Sequence, residues 1–249
     1  LKDTGYVTPK EMGQNMTANQ IYESGKTIAG ELTKIGINLN LAPVADLASD
    51  QNPSYAMRCL GSDADGVADL LDDFVSGMRE GGLSVTLKTF PGIGNVSADV
   101  TESIAENTDS LMTIRDTNFV PYASGIQAGA DCVMVSNAAY SKLTVKKVPA
   151  FMSQDIVTKL LREELGFDGI VMTSPLNDNV IENNYTNEFA VVEAVKAGCD
   201  LIVLPGNFKE CYEALITAVE EGRIDEKVIN TSVRRILQNK IQRGILVLE

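Results

Sequence analysis

The chain has 249 residues, 44% apolar and 22% charged, the proportions of an ordinary globular protein with room for one large domain or two small ones. Lys and Arg number 21 against 34 Asp and Glu, a formal charge of −13, which argues against nucleic acid and anionic membrane surfaces as partners because both need clustered cations. Histidine is absent, so every Ser-His, Cys-His and Asp-His arrangement is removed and acid–base work falls to Asp, Glu, Lys, Tyr or Cys.

In chain order, Ile21, Ile28, Leu32 and Ile35 recur at helical spacing, and Gly36 ends that helix. GINLNLAPV follows as a strand ending near Val44. SDADGVADLLDDFVSGMREGG reads as an amphipathic helix capped by Ser62 or Asp63 and stopped at Gly81-Gly82; its acidic residues, Asp63, Asp65 and Asp69 among them, form a solvated face. LSVTLKTF is the next strand, and LMTIRDTNFVPYASGIQAGA is expected to be helical in its second half. DCVMVSNA is a strand. Ser153 caps a helix whose stripe is Ile156, Val157, Leu160, Leu161 and Leu165. GIVMTS is a strand, EFAVVEAVKAG a helix and DLIVLPG a fifth strand. Two helices close the chain, with Val228, Val233, Ile236 and Leu237 expected in the core.

The strand interiors are continuous Val, Ile and Leu runs, which predicts a parallel sheet buried on both faces in an α/β fold. An open doubly wound sheet and a (β/α)8 TIM-type barrel both fit; the lack of a GxGxxG turn weakens the dinucleotide-binding version. The ends APVADL, KTFPGIG, SNAAY, TSPLND and PGN are polar and rich in turn residues, as a site-bearing rim would be. The four cysteines lack CxxC spacing and read as buried thiols, Cys132 and Cys199 in strands, with no metal or cofactor expected. No apolar run is long enough to span a bilayer and no signal peptide is visible. Leu1 is not a natural start, so an upstream segment is expected and localisation stays open.

GINLNLAPVADL, LKTFPGIGN, AGADCVMVSNA, REELGFDGIVMTS and AGCDLIVLP, in this order and spacing, resemble the barrel domain of family 3 glycoside hydrolases, in particular the β-N-acetylhexosaminidase branch. The resemblance extends over essentially the whole chain and implies a single (β/α)8 barrel domain over residues 1–249, incomplete at its N-terminus. The family's first strands lie upstream of Leu1, so an upstream segment or a partner chain is expected to complete the barrel. It also implies a bacterial glycan-handling setting, cytoplasmic or exported, and a carbohydrate ligand of N-acetylhexosamine type.

The same resemblance implies residue roles. Lys88 matches a lysine that donates to sugar hydroxyls, and Arg58 in AMRCLG an arginine that contacts the sugar. Thr89 and Ile93 stand where the family has histidines, Asn95 where it has aspartate, and Asn137 where it has histidine. In Asp99-Val100-Thr101, the aspartate that orients the family's proton donor is kept, but Thr101 replaces the donor histidine. Ser174 holds the place of the nucleophilic aspartate. A threonine hydroxyl is too weak an acid for a glycosidic oxygen, and with no histidine nothing obvious activates a serine. The expectation is a pseudoglycosidase whose rim of Arg58, Lys88, Asp99, Asn137 and Ser174 binds carbohydrate or serves as a scaffold. The alternatives are an active β-N-acetylhexosaminidase using Asp99, Glu102 or Asp178, and an interaction subunit that binds no sugar. Asp46 is expected either to pair with Arg58 or to make a structural ion pair.

Overall fold

The computed structural model describes residues 7–247; Leu1 lies outside them. Helix α1 (Pro9–Asn15) and helix α2 (Ala18–Lys34) each begin on a threonine capping box, Thr8 with Glu11 and Thr17 with Gln20. Gly36 follows α2 at φ 87°, the left-handed conformation that glycine adopts without penalty. Strand β1 is only Leu39–Asn40, shorter than the apolar run predicts, because the chain leaves the sheet at Leu41 and returns with one bridge from Val44 to Lys88. Then come α3 (Pro53–Ala56), α4 (Ala64–Glu80), β2 (Ser84–Phe90) and β3 (Glu106–Asn107). Asp63 caps α4 by accepting from Gly66 N. Helices α5 (Leu111–Asp116) and α6 (Phe119–Gln127) follow. Both halves of the 111–127 segment are therefore helical, because Ser110 caps α5 through Thr113 N.

Strands β4 (Cys132–Val135) and β5 (Ala139–Tyr140) lead to a helix over Asp155–Glu164 whose hydrogen bonds reach back five residues, a π-helix; Ser153 Oγ accepts from Ile156 N at 3.4 Å beside its first turn. The chain ends with β6 (Ile170–Thr173), α7 (Asn179–Glu182), α8 (Asn187–Ala197), α9 (Phe208–Glu220) and α10 (Glu226–Gln242). DLIVLPG makes one bridge, Leu201 to Met172, rather than a strand; Cys199 precedes it, just after Gly198 ends α8.

The main sheet is parallel in the order β1-β2-β4-β6, with Leu201 next to β6. Spatial order follows chain order without reversal, so the sheet winds in one direction, as a barrel wall does and a doubly wound sheet does not. Residues alternate across it. Cys132, Met134, Ile170 and Met172 pack with Leu39, Leu201 and Val203 on one face, while Val85, Leu87, Val133, Val135 and Val171 join the large core under the helices. β3 and β5 form a separate two-stranded parallel ribbon.

α10 lies across the amino ends of the strands. Arg243 binds Asp131 and Ser84, and Arg235 binds Asp168 and Asp200. That polar docking turns Val233 and Leu237 outward at 45% and 42% exposure, against the core placement expected, whereas Val228 and Ile236 pack inward. All four cysteines are buried free thiols. Among the described residues no helix is long and apolar enough to cross a membrane.

Candidate ligand site at the carboxyl rim

The loops after the strands enclose a cavity of about 680 Å³ lined by Arg58, Lys88, Asp99, Thr101, Asn137, Ser174 and Asp178, which unites all the rim residues singled out in the sequence. The size is that of a small-molecule site. Tyr55 also lines it and carries Arg58 over its ring, 5.0 Å from the centroid. Nothing in the sequence marked Tyr55; only the placement of the short helix α3 brings it to the rim.

One wall is built on a buried carboxylate. Asp46 is fully buried and accepts from Tyr55 OH (2.8 Å), Tyr122 OH (2.8 Å), Thr89 N (3.0 Å), Thr89 Oγ1 (2.9 Å) and Ile93 N (3.2 Å). Burial pushes its carboxyl up, and the hydrogen bonds from Tyr55, Tyr122, Ile93 and Thr89 oppose that. Among the described residues Asp46 thus makes neither the expected pair with Arg58 nor another ion pair: two tyrosine hydroxyls, the Thr89 hydroxyl and the 89–93 backbone take its oxygens. Thr89 and Ile93, where the resemblance implies histidines, serve this network.

The loop beyond Phe90 is held from behind. Gly92, at φ 117°, would place a Cβ 2.3 Å from Asn118 Nδ2, and Gly94 one 1.7 Å from Leu47 O, so the loop's close approach depends on both glycines. Tyr140 OH on β5 donates to Gly92 O at 2.9 Å, and Asn107 Nδ2 on β3 donates to Asn95 Oδ1 at 2.9 Å. The ribbon is therefore a clamp on the rim loop. Further along, Thr101 donates to Asp99 Oδ1 from its nitrogen (2.9 Å) and its hydroxyl (2.7 Å), which holds the Asp99 carboxyl below the usual range.

Opposite lies Asp178. Asn137 Nδ2 donates to Asp178 Oδ2 at 2.9 Å, while Asn137 Oδ1 is buried without a partner. Burial pushes the Asp178 carboxyl up, and the charges of Asp99 and Glu102 push it the same way. Glu102 is tied to α7 through Asn179 Nδ2 at 2.9 Å. Ser174 is buried and donates to Val135 O at 3.0 Å. Lys88 is half-buried; burial lowers its ammonium's pKa, Arg58 adds to that, and Asp46 opposes it.

A carboxyl whose pKa is raised on folding costs stability while ionised, and that cost vanishes once the pH falls below its unfolded value. Asp178→Asn keeps an acceptor for Asn137 and is expected to unfold at a higher temperature than the parent at about pH 7 and at the same temperature near pH 3. Thermal scans at the two pH values check this; a variant no more stable at pH 7 would refute it.

Residues 2–239 match the glycosyl hydrolase family 3 N-terminal domain. The chain belongs to that family. It is 32% identical over 183 residues to a beta-hexosaminidase of Xylella fastidiosa, an alignment covering 74% of this chain and 54% of the relative. The structure of a family 3 beta-N-acetylglucosaminidase from Paenibacillus sp. superposes with a TM-score of 0.92 at 33% identity, over 97% of this chain and 48% of that one. The beta-N-acetylhexosaminidase of Beutenbergia cavernae gives 0.86 at 30% identity, over 95% of this chain and 71% of that one. This family 3 chain spans about half the length of the curated relatives it matches first. Its fold is the family's TIM-barrel type, although among the described residues the sheet does not return to β1.

Proposed function

We propose that this chain is a family 3 barrel domain that binds carbohydrate in the rim cavity without hydrolysing it. The observation that carries the reading is the state of two hydroxyls. Ser174 and Thr101 stand where the resemblance implies nucleophile and proton donor. Each hydroxyl already donates within the protein, Ser174 to Val135 O and Thr101 to Asp99. Among the described residues Ser174 contacts no base that would activate it, Thr101 contacts only the weakly basic Asp99 carboxylate, and neither hydroxyl is an acid of useful strength. The cavity keeps Arg58, Lys88, Asp99 and Asn137 as groups that donate to or accept from hydroxyls. An open cavity with these walls argues against a purely structural role.

One observation favours hydrolysis instead. Asp178 and Asp99 both line the cavity, and the charge of Asp99 is felt at Asp178. A carboxyl with raised pKa beside an ionised one is the combination that retaining glycosidases use. In that reading the chain is an N-acetylhexosamine hydrolase with Asp178 as acid and Asp99 as nucleophile or charge stabiliser.

Calorimetric titration with N-acetylglucosamine and a short cell-wall disaccharide, with a reducing-sugar assay on the same samples, separates the two. The expected result is saturable binding with no turnover above the buffer rate. Turnover that disappears in Asp99→Asn or Asp178→Asn would establish the hydrolase. Absence of both binding and turnover would remove the carbohydrate reading.

A further inference from the structure

Between Asn177 and Phe189 the chain carries five asparagines, Asn177, Asn179, Asn183, Asn184 and Asn187, around one aromatic pair. This run continues the wall of the rim cavity. Asp178 lines the cavity, α7 starts at the next residue, and Tyr185 N donates to Ile181 O in the turn that follows. Two hydrogen bonds stitch α7 to the rim loop: Val180 N donates to Thr101 O at 2.8 Å, and Asn179 Nδ2 donates to Glu102 Oε2 at 2.9 Å. One short helix thus connects the cavity wall to the rings. Tyr185 and Phe189 stack with centroids 5.9 Å apart and planes 7° from parallel. Thr186 caps α8 by accepting from Phe189 N at 3.2 Å, which fixes the backbone under the pair. Tyr185 packs against the core, whereas Phe189 is 51% exposed. Asn177, Asn179, Asn183 and Asn184 are exposed around it, and Asn184 Nδ2 donates to Val180 O at 2.8 Å.

We propose that Tyr185 and Phe189, with these asparagines, form a second sugar seat, so that the ligand is an oligosaccharide with one unit in the rim cavity and a later unit stacked on the rings. The carbohydrate reading above is the premise, and the extended chain is what this adds. A pyranose has an apolar face of C–H groups and an edge of hydroxyls and acetamido groups. The electron-rich face of an aromatic ring attracts the slightly positive C–H hydrogens. Side-chain amides both donate and accept, as sugar hydroxyls do. A protein or lipid partner would need a broad apolar surface, whereas here one ring pair stands among exposed amides. The connection to the cavity through α7 favours this pair over Phe208 and Tyr212, a stacked pair on α9 outside the run.

The probes are N-acetylglucosamine, N,N′-diacetylchitobiose and N,N′,N″-triacetylchitotriose, titrated calorimetrically. The trisaccharide is expected to bind at least about tenfold more tightly than the monosaccharide. Phe189→Ser should cut that ratio to about twofold or less, whereas Phe189→Tyr, which keeps an aromatic face, should retain it. Phe208→Ser, on the other pair, should also retain it. Circular dichroism confirms folding, and Phe189→Leu, which keeps apolar volume without a π face, carries the test if Phe189→Ser does not fold. Equal affinity for the three sugars would overturn the second seat and leave the carbohydrate reading standing. A ratio unchanged in Phe189→Ser, or lost equally in Phe208→Ser, would also overturn it. A dimer seen in sedimentation and dispersed by Phe189→Ser would assign the rings to a second copy of the chain instead. Binding of none of the three sugars would remove both the seat and the reading it rests on.

Discussion

Asp46→Ala is expected to lower the thermal midpoint by about 10 °C or more and to abolish ligand binding in the rim cavity. The carboxylate is completely buried and is the shared acceptor for two tyrosine hydroxyls, the Thr89 hydroxyl and the backbone nitrogens of Thr89 and Ile93. Alanine leaves those donors facing a void. A buried donor without a partner costs about 1–3 kcal/mol, so losing this acceptor costs about 3–5 kcal/mol after partial relaxation. In a chain of this size each kcal/mol moves the midpoint by about 2–4 °C. Binding fails for a separate reason: Asp46 fixes Tyr55, on whose ring Arg58 rests, and anchors the chain beside Lys88. Asp46→Asn keeps the volume but turns an amide donor towards other donors, and should fall between parent and alanine variant. Circular dichroism melting checks the stability, and titration of the folded variant at low temperature checks the binding. A midpoint shift below about 3 °C would show that water or repacking replaces the carboxylate.

Asp131→Ala is expected to destabilise the protein by a similar amount and leave the cavity's affinity unchanged. Asp131 sits at the amino end of β4, opposite the rim. Arg243, the residue after α10, reaches both its oxygens at 2.7 and 2.6 Å, and Asn239 Nδ2 and Val85 N complete its shell. Both side chains of the pair are almost buried, at 10% and 4% exposure, so removing the acid strands a guanidinium. Breaking a buried pair from one side costs about 3–5 kcal/mol. The contrast with Asp46 tests the geometry of the fold: in barrels of this type the carboxyl ends of the strands carry function and the amino ends carry stability. Arg243→Met together with Asp131→Leu should recover much of the loss, because an apolar pair leaves no charge uncompensated. Weakened ligand binding in the folded Asp131→Ala protein would contradict the separation of the two ends.

The long helices α2, α4, α8, α9 and α10 were legible because their signals are local, whereas the short α1, α3, α5 and α7 were not predicted. Asp63, Gly36 and Gly198 act within a turn of where they stand, and the predicted ends agree with the structure. Strand length was less legible. DLIVLPG is as apolar as DCVMVSN, yet it makes one bridge where the other makes a full strand, because pairing depends on the partner rather than on the run itself. Val233 and Leu237 carry a core pattern but face outward, because α10 docks through Arg235, Asn239 and Arg243.

What the sequence determined by itself is its inventory of side chains: no histidine anywhere, serine at position 174 and threonine at 101. Those are covalent facts that no packing alters. Which charges meet was decided only by the tertiary structure. Asp46 and Arg58 are twelve positions apart and read as a pair, but the acid is taken by Tyr122, from a helix 76 positions away, together with Tyr55 and Thr89. A buried carboxylate is held by whichever donors the loops bring within 3 Å or so of it. Loop paths, unlike helix caps, are set by contacts far along the chain, and here they set Arg58 over the ring of Tyr55 while Asp46 goes to the tyrosine hydroxyls.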